Sequence, residues 1–500
     1  MKMRKRALVI STCIAMAATA NPGVVLADNT GDITEIVWQY PVQGEVKEGF
    51  YRVEEALNEM LEKDIGVHVT FEPVDLMESQ NKATLMVSAG EQLDICLTAF
   101  APVGSLVESG LIIPLDEILD TYGQDILEHT DNLIGGCRYD GQTYGVPTGN
   151  VNYVMYAYCM KKRFAEKYDC LPSDDKIYTL DELEEIFAKI KEGEGDECIL
   201  HIPWTNTYEP LNYGMCEYDN FGSDTSWGVL MLNRDFQDTT IFNLYETEEY
   251  AEYCARMYDW AQKGYISPDA ATVTDLGEVL FREKTTGWFD HGAPYTDMLE
   301  LSYWGEDVVQ YKTIAPFVKG GVTDVMWNIT SSCENPEKAV ETLNYLYKNK
   351  EAAWLLQYGF EGEEYEIVEK DGDNVLVKYL TDDPSSLPYG SDYGIWGDRL
   401  EWPVFVPQAI DTNQRKKEAQ DMIPDDRKSP AMGYSFKSES VSSEIAAVQT
   451  VIAQYAPSLN AGAVNPEDTL PEFIDALKAA GIDTVIAENQ RQFDEFLAQN

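Results

Sequence analysis

Four histidines are all that a 500-residue chain offers for imidazole chemistry: His68, His129, His201 and His291. The most tempting local pair is Asp290-His291, an acid and an imidazole of the kind that moves protons in general acid–base catalysis. Nothing in the spacing puts a nucleophile or a second acid beside it. Glycoside hydrolysis needs two facing carboxylates, and among 87 acidic residues some pair can always be drawn, so the count selects none. H-E-x-x-H, G-x-S-x-G and G-x-x-x-x-G-K-[ST] are all absent from the sequence. The common metalloprotease, hydrolase and nucleotide signatures are thereby removed. The chain reads as one without catalysis, metal or cofactor.

Asp290-His291 lies in Phe281 to Tyr295, FREKTTGWFDHGAPY. A helical segment carrying Val279, Leu280 and Phe281 gives way to small and polar residues. Gly287-Trp288-Phe289 then predicts a short buried strand, which Gly292 and Pro294 end. Tyr139 to Tyr158 reads the same way. Asp140-Gly141 is a hairpin signal, Gly145-Val146-Pro147 stops a strand, and an aromatic-rich strand follows. Two such strand exits predict two lobes joined by more than one crossing chain.

The N-terminus predicts export. Lys2, Arg4, Lys5 and Arg6 precede an apolar stretch from Ala7 to Ala20, and Val25-Leu26-Ala27 supplies small residues for cleavage, the pattern of a secretory signal peptide over residues 1–27. Ala18-Thr19-Ala20 is a second cleavage candidate. The stretch is too short for a permanent membrane span, and no other apolar run is longer. Cys13 reads as part of this stretch rather than as a lipid attachment site, because Thr12 suits the preceding position poorly.

Cleavage removes four basic residues and no acidic one, so the formal charge moves from -50 to -54. Such a chain repels nucleic-acid phosphates and anionic lipid, which argues against both as partners. Acidic clusters such as Glu361 to Glu369 read as a solvating surface and lack calcium-loop spacing. Eight of the nine cysteines remain, from Cys96 to Cys333, with no C-x-x-C pair. Zinc ribbons and thioredoxin chemistry are unsupported. Disulfides and free buried thiols both stay open, since a chain of this length builds a core without bridges.

The mature chain is long enough for two or three domains. Ile33 to Trp38 predicts a strand, and Phe50, Val53, Leu57, Met60 and Leu61 mark one face of a helix ending near Gly66. Val67 to Phe71, a helix closed by Gly90, and Asp94 to Thr98 complete a β-α-β-α-β run, which implies a parallel sheet. Ligands of such sheets bind beyond the carboxyl ends of the strands. Further on, Thr179 to Glu182 is a capping box, and Leu183, Ile186, Phe187 and Ile190 share a helical face. Residues 201 to 245 are irregular and aromatic, and Thr247 opens a helix that stops at Gly264. Asn335-Pro336-Glu337 starts another helix. Asp371-Gly372 turns a hairpin, and Ile445, Val448, Ile452 and Tyr455 line a late helix. There is no internal repeat.

Taken in order, several of these pieces resemble one family. They are the signal peptide, the β-α-β-α-β unit, Ser109-Gly110-Leu111-Ile112-Ile113-Pro114-Leu115-Asp116, Tyr144-Gly145-Val146-Pro147, the Gly287-Trp288 strand and Asn335-Pro336-Glu337-Lys338-Ala339. Together they are similar to the extracellular solute-binding proteins of ABC importers, in the mostly sugar-binding branch. Gly433-Tyr434-Ser435-Phe436 through Pro471 to Gln492 is similar to a C-terminal module on a subset of them. The chain departs from the family's pattern in two places. It lacks a clear lipidation cysteine, and Tyr158-Cys159-Met160-Lys161-Lys162 replaces a Tyr-Asn-Lys-Asp-like strand end.

The resemblance implies an α/β, two-lobe, periplasmic-binding-protein-like fold of type II that closes on ligand. Lobe one would comprise residues 28–149 and 290–330, and lobe two residues 150–289 and 331–411, with a helical module over 412–500. It further implies a monomer that takes a small molecule, most simply an oligosaccharide, to membrane permease subunits. Sugars present flat C–H patches ringed by hydroxyls, which aromatic faces and short polar side chains match. The expected ligand contacts are Trp288 on its strand and Asp290 at the strand's exit. Trp204 and Trp227 belong to the irregular stretch, while Tyr40, Thr98 and Phe100 follow strand ends. Asn150 follows the first crossing, and Trp327 precedes the return. Core packing is the alternative for each tryptophan; Trp260 and Trp354, on helical faces, read as core. Two other classes compete. A secreted carbohydrate-active enzyme would need the paired acids that are not found, and an adhesin would show repeats or an anchor.

Overall fold

The computed structural model describes residues 33–498, leaving aside 100–102, 131–132, 149–152, 174, 204–213, 222–227, 273–282, 293–306, 321–324 and 435. The expected signal peptide, residues 1–27, therefore lies outside the described residues. The chain opens with strand β1 (Thr34–Val42), helix α1 (Phe50–Ile65), strand β2 (Val67–Asp75), helix α2 (Ser79–Ala89) and strand β3 (Ile95–Ala99). Phe50, Val53, Leu57 and Leu61 form the buried face of α1, and Gly66, left-handed at φ 67°, caps it. Glycine is needed there because a Cβ would be strained at that angle. The strands pair in parallel as the β-α-β-α-β pattern requires. A hairpin with Arg138–Tyr139 and Gln142–Thr143 turns at Asp140-Gly141, and the short strand β4 (Val146–Pro147) follows.

The chain then crosses into a second sheet, through β5 (Val154–Lys161), helix α3 (Leu180–Glu194), helix α4 (Glu248–Gln262), β6 (Gly287–His291) and β7 (Val308–Phe317). The capping box at Thr179 forms in both directions. After β7 the chain recrosses to β8 (Val325–Ile329), then helices α5 (Pro336–Lys348) and α6 (Lys350–Tyr358) and the hairpin Tyr365–Asp371/Asn374–Tyr379. Three long helices end the chain: α7 (Ser442–Asn460), α8 (Pro466–Ala480) and α9 (Ile482–Leu497). The first sheet has the order β2-β1-β3-β8-β4 and the second β6-β5-β7. These are the two lobes.

The expected lobe boundaries need correction in two places. β6 and β7 both pair antiparallel with β5, so 290–291 and 308–317 belong to lobe two. Residues 331–411 belong to lobe one, since Val340, Leu343, Leu346, Tyr389, Trp396 and Trp402 share one apolar core with β1, β2 and β3. β6 ends at His291, but the next described strand returns to the same sheet. An amphipathic helix shows that it has a buried face, not which sheet covers it. The module expected over 412–500 also divides. Asn413 donates to the carbonyl of Trp402 in lobe one, whereas α7, α8 and α9 pack into the core of lobe two.

Eight cysteines, Cys96 to Cys333, are free thiols, which closes the question of disulfides left open above. Burial pushes Cys96 and Cys254 up to about 12 and makes them inert as nucleophiles. Among the described residues no helix is long and apolar enough to cross a membrane.

Candidate functional site

Topology says where the lobes face each other. The first crossing runs from Pro147 to Val154 and the second from Phe317 to Val325. Val325 is paired with Ala99 and Met326 with Pro147, so the carboxyl ends of β3 and β4 and the start of β8 share one edge of lobe one. Phe317 is paired with Val154, and His291 with Tyr156, so the end of β6 lies on the matching edge of lobe two. A ligand held between the lobes meets these ends.

Side chains alternate across a strand, which gives the second sheet two unlike faces. Phe289, Tyr158 and Tyr311 are in register on one face and lie in the apolar core. On the other, Cys159 stands between Trp288 and Gln310, and Ala157 between Asp290 and Lys312. Trp288, Gln310 and Lys312 are buried, which is unusual for polar groups and is tolerated only where they find partners. Exposure rises along β6 toward the lobe edge: the side chain of Asp290 is 27% exposed and that of His291 56%.

Gly287 makes this register attainable. A Cβ there would lie 2.2 Å from the carbonyl oxygen of Cys159 and against the Tyr158 ring. The Gly-Trp pair thus brings β6 close enough to β5 to seat Trp288. Trp288 donates its indole N–H to Asp290 Oδ2 at 3.0 Å, and the backbone N–H of His291 donates to Oδ1 at 2.7 Å. The carboxylate is held from both sides, and each oxygen keeps a lone pair for a ligand hydroxyl. Tyr156 packs its ring 5.1 Å from that of His291. Lys319, buried at the second crossing, sits 5.8 Å from the Tyr156 ring and 5.9 Å from the Tyr218 ring.

The expected contacts therefore separate. Trp288 and Asp290 are brought together. Tyr40 is not on a cleft wall: it is buried in lobe one, stacked 5.2 Å from Trp396, and its hydroxyl is 2.8 Å from that of Tyr389. Burial pushes its hydroxyl up to about 12. Trp327 is a core residue too, 5.3 Å from Trp38 and donating to the Ile395 carbonyl at 3.1 Å. Thr98 is buried and donates to Asn328 Oδ1 at 2.6 Å inside the first sheet. All three sit on strands whose ends reach the cleft, but their side chains point into the lobe. Trp204, Trp227, Phe100 and Asn150 lie outside the described residues.

Sequence reasoning missed Tyr156, Gln310, Lys312 and Lys319. For Gln310 and Lys312 the signal was polar residues inside the apolar run of β7; Tyr156 shares the face of Tyr158 and gave none. Nothing here assembles a catalytic centre: Asp290 and His291 form no group with a nucleophile or a second acid among the described residues. Nor do the described residues place three or more His, Cys, Asp or Glu to hold a metal.

Two family models match the chain, bacterial extracellular solute-binding protein over residues 56–360 and a domain of unknown function, DUF3502, over 430–498. The protein belongs to the bacterial extracellular solute-binding proteins; it is an exported binding protein rather than an enzyme. A carbohydrate ABC transporter substrate-binding protein of Streptococcus pneumoniae is 26% identical over 450 residues, covering 88% of this chain and 87% of the relative. Among solved structures, the N-glycan transport solute binding protein NgtS of Streptococcus pneumoniae superposes with a TM-score of 0.80 at 21% identity, covering 94% of this chain and 99% of the other. A solute-binding protein from Bifidobacterium longum infantis, described as binding HMO, gives 0.61 at 14% identity, covering 94% and 100%. These likenesses establish the two-lobe fold.

Proposed function

We propose that the protein captures an oligosaccharide between its lobes and delivers it to the permease of an ABC importer, acting as a monomer. The observation that carries this is the polar face of the second sheet, where Trp288 and a pre-aimed Asp290 meet the edge facing lobe one. Asp290, partly exposed, offers its remaining lone pairs to a sugar hydroxyl, and the buried indole of Trp288 holds that carboxylate in place. The relatives support the ligand class: one is named for carbohydrate import, and NgtS has been crystallised with Man1GlcNAc and Man5GlcNAc. Trp204, Trp227, Phe100 and Asn150 complete the proposed contact set.

Lobes joined by three crossings can bend toward each other, and ligand then favours the closed arrangement. Residues 1–27 would be removed on export, so that the mature chain begins at or near Asp28 without lipid on Cys13; intact mass reads both. A thermal-shift screen with mono- and oligosaccharides, Man1GlcNAc and Man5GlcNAc among them, tests the ligand class. A sugar at 100 times its Kd adds roughly 2.7 kcal/mol of stability. A panel in which no sugar shifts the melt, while peptides do, would assign the cleft to a peptide instead.

A further inference from the structure

The C-terminal helices are bonded to lobe two at many points. Tyr250 donates its hydroxyl to Asn460 Oδ1 at 2.9 Å, Gln490 donates to the Thr239 carbonyl at 3.0 Å, and Lys478 pairs with Glu246. Phe473, Leu477 and Ile482 enter the same apolar core as α3 and α4. This makes the helices a fixed part of lobe two.

The segment that leads into them does something different. Arg427 donates to the carbonyls of Pro316 and Ala315 at 2.9 and 3.1 Å, at the end of β7 where the second crossing starts. Val318 and Lys428 form a parallel bridge, with Ser429 donating back to Val318 at 2.9 Å. Ala431 lies so close to the crossing that a Cβ on Gly320 would meet its carbonyl oxygen at 2.5 Å. Met432 then abuts Gly135 of lobe one, with its Cγ 3.3 Å from the position a Cβ there would take. Lys437 is anchored to the last helix, its backbone N–H donating to Gln492 Oε1 at 2.8 Å. Its ammonium reaches the lobe-one hairpin, pairing with both oxygens of Asp140 at 2.8 and 3.0 Å and lying 4.5 Å from the Tyr139 ring. Glu439, two residues on, stands within hydrogen-bonding reach of Glu108.

We propose that residues 427–434 and 436–439 brace the hinge, and that the Lys437–Asp140 contact biases the balance between open and closed lobes. The Arg427 end lies at the crossing itself, where bending moves little. The Lys437 end joins a residue held by lobe two to a turn that moves with lobe one, so any change of interlobe angle stretches it. A contact with differential strength in two states shifts their populations by that difference and no more. Because both side chains are partly exposed, the shift is modest, about two- to five-fold in the open-to-closed ratio.

The test is small-angle scattering of the ligand-free mature protein and a double-substitution cycle. Asp140→Asn is chosen because residue 140 has φ 50°, a conformation asparagine tolerates. Lys437→Gln and Asp140→Asn should each move the radius of gyration in the same direction, and the double variant should move it no further than either single one. High salt should bring wild type toward the variants and leave the variants in place. Lys437→Arg, which keeps the charge, should scatter like wild type. Single variants that scatter like wild type, effects that add, or a Lys437→Arg variant that behaves like Lys437→Gln would each overturn the brace.

Discussion

Both lobes bury tryptophans, and the two sets are used differently. In lobe one, Trp38, Trp327 and Trp396 pack against each other at 5.2 to 5.5 Å, and Trp327 and Trp402 direct their N–H groups to backbone carbonyls of the same lobe. In lobe two, Trp260 joins the apolar core, while Trp288 sits on the opposite face of the sheet, bonded to a carboxylate that reaches toward solvent. Burial is nearly the same for Trp327 and Trp288, at 1% exposure each. The company a buried tryptophan keeps therefore separates a ring that only packs from one that positions a partly exposed carboxylate, and burial alone does not.

The comparison can be broken first at its strongest side. Trp327→Ala leaves a cavity beside the Trp38 and Trp396 rings and should cost roughly 3–5 kcal/mol of stability, read as a lowered denaturant midpoint, with affinity for a bound sugar unchanged below the melt. Trp288→Ala should instead weaken sugar affinity by about 2 kcal/mol or more, measured by calorimetry. Equal affinity losses in both variants would erase the distinction. Gly287→Ala sharpens it from the backbone side. The added methyl collides with β5, so overpacking of about 1–3 kcal/mol should appear, together with weakened binding as Trp288 is displaced.

His201 offers an effect confined to lobe two that appears only in acid. It is buried among Phe289, Trp260 and Tyr158 with no partner for Nδ1, and burial holds its pKa down to about 3 from an ordinary 6.5. The unfolded chain then binds a proton that the folded one refuses. This contribution is full above pH 6.5 and is lost as pH falls toward 3, at about 1.4 kcal/mol per pH unit. His201→Phe should flatten that part of the stability profile relative to wild type; parallel profiles would show that His201 is not the group.

Much of the scaffold could be read locally. The α1 stripe, the Gly66 and Gly90 stops, the Thr179 box and the Asp140-Gly141 and Asp371-Gly372 turns depend on residues a few positions apart, and all of them form. Pairing that spans the chain could not be read the same way. β7 returns to β5 across some 150 residues, and α5 covers lobe one rather than lobe two. The same pattern of apolar residues would serve either sheet. For the site, the Gly287-Trp288 strand and Asp290 stood out because a glycine, an indole and an acid adjoin. Tyr40, Thr98 and Trp327 were chosen for position at strand ends, and position does not say which way a side chain turns.

The most direct measurement is calorimetric titration of wild type, Trp288→Ala and Trp327→Ala with the sugar that most raises the wild-type melt, followed by recovery of that sugar from the wild-type sample. The account predicts that Trp288→Ala alone loses affinity, and that the recovered sugar is intact. A sugar cleaved in proportion to protein concentration, or undiminished affinity in folded Trp288→Ala, would contradict it.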